Sequence, residues 1–287
     1  MSKNEGFLSS SIATSIANIR ADFALWFATA DSFNALGMRV LPAAKVNQSS
    51  NQQVVAAALY GRILTSFQAA YILTERGMLS DARTVVRAAA ETAIVLCALI
   101  RDSSICDLLI DRHFWHHSKL RNAWLNDPQA IAEMTGEQVN AIKATITEAA
   151  KTHPKAQQFK GDPISIATLA RQAGVMALYN AIYRSTSGDA AHTSIDALNR
   201  HIRADTDANI VGLKFGPPAD DLPATLSDAI SVLGHALQAV IDLFQLQQFS
   251  HDLARRVASW KALGVPMDFR PTPSNTAAQV NGDGHAE

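Results

Sequence analysis

The stretch YNAIYRSTSGDAAHTSIDAL, Tyr179 to Leu198, gathers Tyr183, Arg184, Ser185, Thr186, Ser187, Asp189 and His192 in a chain otherwise rich in alanine and leucine. Such a set has the parts for acid–base work on a phosphate ester: an imidazole to move a proton, a guanidinium to neutralise the phosphate, hydroxyls to position it. A second group lies in RTVVRAAAETAIVL, where Arg83, Arg87 and Glu91 recur at four-residue steps and share one helix face. Ala88, Ala89, Ala90, Ala93 and Ile94 crowd these charges with small and apolar neighbours. A buried Arg–Glu pair needs further partners, because stranding one of its charges costs about 3–5 kcal/mol. The hydroxyls and imidazole of the Tyr183–His192 joint can supply them. One expectation is therefore a polar pocket centred on His192, with Arg87 and Glu91 as its opposite wall. The simpler alternative is an i,i+4 salt bridge on a partly exposed surface, worth about 0.3–0.5 kcal/mol, with Ser187 and Asp189 serving only as helix caps.

A third group is DRHFWHHSKLR, with Arg112, His113, His116 and His117. His113 and His117 stand four apart and can face one metal, but the local sequence offers no third ligand, and no metal is expected. Arg112 and His117 also satisfy the Arg-x(4–6)-His spacing of HEPN-type ribonucleases, which need no metal. In a chain with 9 His, chance supplies about one or two such pairs. Arg184 to His192 is one residue too long for that spacing. No Walker loop, dinucleotide-binding glycine pattern, nucleophile elbow or kinase set is present, and no cofactor is expected.

Net charge is −1, from 25 basic and 26 acidic residues, so no broad basic field marks a general nucleic-acid binder and any RNA contact is local. At 48% hydrophobic and 18% charged, the 287 residues can bury a sizeable core. Cys97 and Cys106 sit in apolar segments at a spacing that fits neither a zinc knuckle nor a redox pair, and read as buried thiols in a reducing cytoplasm. The opening residues lack the apolar run of a signal peptide. The most apolar run, Ala93 to Ile100, falls short of the roughly 18 residues that span a bilayer. The expectation is a cytoplasmic protein without membrane passage.

Apolar residues recur at three- and four-residue spacing almost throughout, and alternating strand patterns are nearly absent. The fold class is all-α, a multi-helix bundle with antiparallel long helices and a short β-hairpin or ordered loop near 203–216. Expected helices cover about 7–36, broken near Pro42; 52–76, stopped by Gly77; and 80–101, capped by Ser80 and Asp81. Further helices are expected over 103–126, 135–152 behind a Thr135–Gln138 capping box, from Asp162-Pro163 onward with a break at 187–189, and 220–263. One helical domain over 1–264 results: an N-terminal helix and linker (7–50), a core (52–201) and a C-terminal helix (220–264). Residues 265–287 read as a disordered tail.

Together LYGRILTSFQAAYIL, ARTVVRAAAETAIVLCALI and YNAIYRSTSGDAAHTSIDAL resemble a bacterial and phage-associated helical family of unknown function, DUF5677. Its pattern is Arg-x-x-x-Glu followed about a hundred residues later by Tyr-x-x-x-Ser and a His, here Arg87, Glu91, Tyr183, Ser187 and His192. The resemblance implies a distant relationship to HEPN domains, which often act as dimeric ribonucleases in toxin–antitoxin or phage-defence settings. Two functions are then in view. One is a metal-independent endoribonuclease in which His192 moves the proton, Arg87 or Arg184 clamps the phosphate, Glu91 orients them, and Tyr183 and Ser187 position the substrate. Arg112, His113 and His117 form its second candidate cluster. The other is a non-catalytic helical module that binds a protein or small ligand and uses the same polar cluster as structural glue. The resemblance also implies a homodimer.

Overall fold

Helices dominate because the apolar stripes can be buried only against one another. The computed structural model describes residues 6–190, 195, 198, 201–206, 209–213 and 221–264; the expected tail at 265–287 lies outside them. The helices are α1 (Ile12–Asp22), α2 (Ala24–Ala43), α3 (Asn51–Glu75), α4 (Leu79–Arg101), α5 (Ile105–Leu125), α6 (Pro128–Glu133), α7 (Gly136–Thr152), α8 (Ile166–Gln172), α9 (Met176–Leu178), α10 (Ser187–Ala190), α11 (Leu222–Leu243) and α12 (Ser250–Lys261). The fold is all-α; among the described residues there is one small antiparallel hairpin, in which β1 (Ile202–Ala204) pairs Ile202 with Leu213 and Ala204 with Ile210 of β2 (Ile210–Leu213), across a bulge.

α3 and α4 form the expected hairpin. Gly77, at φ 78°, takes the left-handed conformation that glycine adopts without strain, and its N–H donates to Thr74 while Met78 N–H donates to Leu73. These two bonds satisfy the last carbonyls of α3. Ser80 and Asp81 do not cap α4: Met78 occupies that position, and Ser80 is already helical, its carbonyl accepting from Thr84 Oγ1. Thr135 and Gln138 do form the reciprocal capping box of α7.

Three expected boundaries shift. The first helix is two, because Phe23 leaves helical geometry, and Pro42 sits inside the last turn of α2 rather than before its end. Asp162-Pro163 does not open a helix; α8 starts at Ile166 under a Ser165 cap, and Asp162 instead accepts from the Ile164 N–H and from Arg112. The C-terminal helix is also two. Gln245, at φ 55°, turns the chain so that Leu246 N–H reaches the Ile241 carbonyl, and Leu246 and Phe249 enter the core.

α11 is the central element. It is long and apolar enough to cross a bilayer, yet 89% of its most apolar window is buried within the fold, as befits a core helix. It packs against α2, α3 and α4. Its Leu226, Ile230, Leu233 and Leu237 belong to the same buried core as Tyr60 and Ile63 of α3 and Ile94 and Leu96 of α4. α8, α10 and the turn between them also pack against α4, which brings the polar joint onto the Arg87 face. Cys97 and Cys106 are buried free thiols, and burial pushes Cys97 up to about 12.

Candidate functional site

After α9 the backbone widens into a π-helical turn over Tyr179–Arg184, a form that appears frequently at functional sites. Ser185 and Thr186 close it, and α10 follows. The break expected at 187–189 therefore lies two residues earlier, and Ser187 is helical. Its hydroxyl donates to the Tyr183 carbonyl at 2.7 Å, so it is not a cap.

Arg87 faces this turn. Its Nε donates to Ser187 Oγ at 3.3 Å, its Nη2 donates to the Tyr183 hydroxyl at 3.2 Å, and its Cζ lies 4.6 Å from the Tyr183 ring centroid. Tyr179 stacks on Tyr183 with centroids 5.4 Å apart. One half-buried guanidinium thus engages three features of the turn, and the expected juxtaposition of Arg87 with Tyr183 and Ser187 is present. The Arg87–Glu91 salt bridge is not: Arg87 turns to the joint, and Glu91, half-buried, makes no ion pair among the described residues. Glu91 still lies close enough to act on Tyr183. Burial, with smaller contributions from Glu91 and Tyr179, raises the Tyr183 hydroxyl above the usual phenol range against the opposing charges of Arg87 and Arg112. Tyr183 stays protonated at neutral pH and keeps its O–H to donate. Arg184 is exposed and makes no ion pair among the described residues. His192 lies outside the described residues, as does the Asp189 side chain.

One turn before Arg87, Arg83 is buried at 9% exposure and lies near Asp228 of α11, itself 8% exposed. Burial pushes the Asp228 carboxyl up to about 7, and the Arg83 charge opposes the rise. Sequence reading passed Asp228 over. A signal existed in LSDAISVLGHAL: an aspartate and, seven residues on, His235 share one face of an otherwise apolar helix. His235 is buried too; its Nδ1–H donates to the Ser231 carbonyl, and burial lowers its pKa.

The other candidate cluster is assembled differently from the phosphate clamp its spacing suggests. Arg112 is held by Asp162 in a bidentate pair, with Nε–Oδ1 at 2.9 Å and Nη2–Oδ2 at 2.6 Å. Burial alone would raise Asp162, but the bonds from Arg112 and from the Ile164 N–H hold its carboxyl below the usual range. His113 and His117 have ring centroids 4.3 Å apart, and loss of hydration, then the charges of His113, Arg121 and His116, push the His117 imidazole down. Among the described residues no group of three or more His, Cys, Asp or Glu is placed to hold a metal ion. The Arg112 charge acts on the Tyr183 hydroxyl, which couples the two candidate clusters electrostatically.

Fold and site together define an all-helical protein whose long α4 pins a π-helical joint through one arginine. The chain belongs to the family of unknown function DUF5677, whose model matches residues 53–210 and so takes in nearly all of α3, all of α4, the joint and β1, and ends at the first residue of β2. Comparison with curated proteins finds no match, and neither does comparison with solved structures.

Proposed function

We propose that this protein is a non-catalytic helical binding module that presents the segment after the joint to a protein partner, a second copy of the chain. The observation that carries this reading is the exposure of large aliphatic side chains along that segment: Ile195 at 72%, Leu198 at 44%, Ile210 at 69%, Val211 at 50% and Leu213 at 80%. Three of the five, Ile210, Val211 and Leu213, are on β2, and exposed apolar side chains gathered together mark interaction surfaces more often than scattered ones do. The edges of a two-stranded hairpin suit pairing with another strand, and two identical edges are self-complementary about a two-fold axis. A net charge of −1 sets no repulsion between copies. In this reading Arg87, Tyr183 and Ser187 anchor the joint to α4 and so fix the direction in which the segment leaves the joint. Light scattering on purified protein is expected to give twice the chain mass, and Leu213→Glu to give the chain mass with unchanged circular dichroism. A wild-type protein that stays monomeric up to its solubility limit would sink the reading.

A second reading, metal-independent endoribonuclease action in a HEPN-like manner, draws support from Asp228 beside Arg83, because a buried carboxyl poised near neutrality next to a row of arginines suits acid–base work on phosphates. Arg87 or Arg184 would clamp the phosphate, Glu91 orient it, Tyr183 and Ser187 donate to it, and His192 move the proton. RNA cleavage in EDTA by wild type, Arg87→Ala and His192→Ala tests this; equal activity in all three removes the site.

A further inference from the structure

Away from the joint, α5 and the segment that follows α7 enclose a cleft of about 190 Å³. Trp115, Ser118, Lys119 and Asn122 line one side, at the three- and four-residue steps that share a helix face. Gln157, Phe159 and Lys160 are on the other, and no acidic side chain is in the lining. The walls are fastened together, because Trp115 Nε1–H donates to the Phe159 carbonyl at 3.2 Å. The volume is below the roughly 300–1,000 Å³ of sites for drug-sized ligands, so it suits a small group.

Ser118 shows which kind of group. It is buried, with 4% of its surface exposed, and among the described residues its Oγ is the buried side-chain polar atom without a hydrogen-bond partner. Other helical hydroxyls in this chain satisfy themselves on the carbonyl four residues back, as Thr74, Thr92 and Thr225 do. A buried hydroxyl left unpaired costs about 1–3 kcal/mol, so Ser118, whose side chain is in the wall of the cleft, gains a hydrogen bond by turning its hydroxyl toward a ligand seated there. Lys119 and Lys160 make no ion pair among the described residues; the Lys119 Nζ instead lies 4.9 Å from the Trp115 ring centroid. Two cations, a hydroxyl and two carboxamides offer more donors than a carboxylate can accept, and match the oxygens of a phosphate.

We propose that this cleft is a binding site for a phosphate group, either inorganic phosphate or the phosphate of a small monoester whose organic part lies against Trp115. The site is independent of the joint and of the dimer reading. Calorimetric titration of the full chain in low-salt, phosphate-free buffer with inorganic phosphate and with adenosine 5′-monophosphate tests it. Saturable one-to-one binding is expected, weakened about tenfold by Lys119→Gln or Lys160→Gln and about fivefold by Ser118→Ala. Unliganded Ser118→Ala is expected to melt no lower than wild type, since no bond is lost, which separates a binding role from a structural one. Equal affinity for the two probes identifies free phosphate as the ligand, and a monoester bound at least about tenfold more tightly identifies the ester. No saturable heat with either probe, or undiminished binding in the Lys119→Gln/Lys160→Gln double variant, overturns the proposal.

Discussion

Arg87 ties the joint to α4 by two hydrogen bonds and a ring contact, and its partners can be removed one at a time. Tyr183→Phe takes away the hydroxyl that accepts from Nη2 and keeps the ring under Cζ. Net hydrogen bonds contribute about 0.5–1.5 kcal/mol, so this change is expected to cost about that much in urea unfolding. Arg87→Ala loses both bonds and the cation–π contact and is expected to cost about 1–3 kcal/mol. Equal stability of the two variants would show that the guanidinium contributes nothing beyond the Tyr183 hydroxyl. Asp228 carries the second prediction. Its native carboxyl is pushed up to about 7 by burial against the opposing Arg83 charge, so between about pH 4 and 7 the native state holds a proton that the unfolded chain releases. Stability from this group therefore falls as pH rises through that window and is level above it. An asparagine in its place has no carboxyl to titrate. Asp228→Asn is expected to match wild type near pH 4 and to exceed it by a few kcal/mol, at most about 4, at pH 8. The difference between the two unfolding curves cancels His235 and every other titrating group; a flat difference would refute the assignment.

Elements that end on residue chemistry were readable, and elements that end on tertiary packing were not. Gly77 and the Thr135–Gln138 box name their turns outright. Phe23 and Gln245 carry no such mark, yet the chain breaks at both. At Gln245 the geometry is the same left-handed C-terminal turn that Gly77 makes, with Leu246 N–H on the Ile241 carbonyl, and it forms because Leu246 and Phe249 gain burial. A non-glycine residue in that conformation costs about 1 kcal/mol. Gln245→Gly is therefore expected to raise stability by about 0.5–1 kcal/mol, measurable as a higher urea midpoint at constant slope. An unchanged or lower midpoint would mean that the Gln245 side chain contributes more than its backbone strain costs. The same divide runs through the site. Arg87, Tyr183 and Ser187 stood out as polar residues among alanines, and the structure brings them into contact. Asp228 was hidden by the length of the apolar helix that carries it, and Arg112 found Asp162 across 50 residues, a pairing that no local spacing announces.

The whole molecule is layered by how much each helix buries. In α4, every residue from Thr92 to Leu99 is buried, and in α11 every residue from Thr225 to Leu237 is. In contrast, α5 buries Ile105, Cys106 and Ser118, α6 buries none of its residues, and α7 buries Ala149 alone. This outer layer is held by a few specific ties: the Phe114–His153 stack at 3.7 Å, the Trp115–Phe159 hydrogen bond and the Arg112–Asp162 pair. Opening free energy follows buried apolar contact, so the layer has far less to lose than the α3–α4–α11 core. Native-state hydrogen exchange is expected to show α6 and α7 opening as a unit well below the global unfolding free energy, while amides over Ala89–Ile94 exchange only with global unfolding. His153→Ala is expected to speed exchange in α7 and leave the core rates unchanged. A single free energy shared by both layers would refute the division. The phosphate cleft lies at the seam of this layer, between α5 and the segment after α7, so saturating phosphate should slow exchange in α7 selectively. A ligand seated there stabilises the closed form of the layer that opens most easily, and the slowing should vanish in the Lys119→Gln/Lys160→Gln variant.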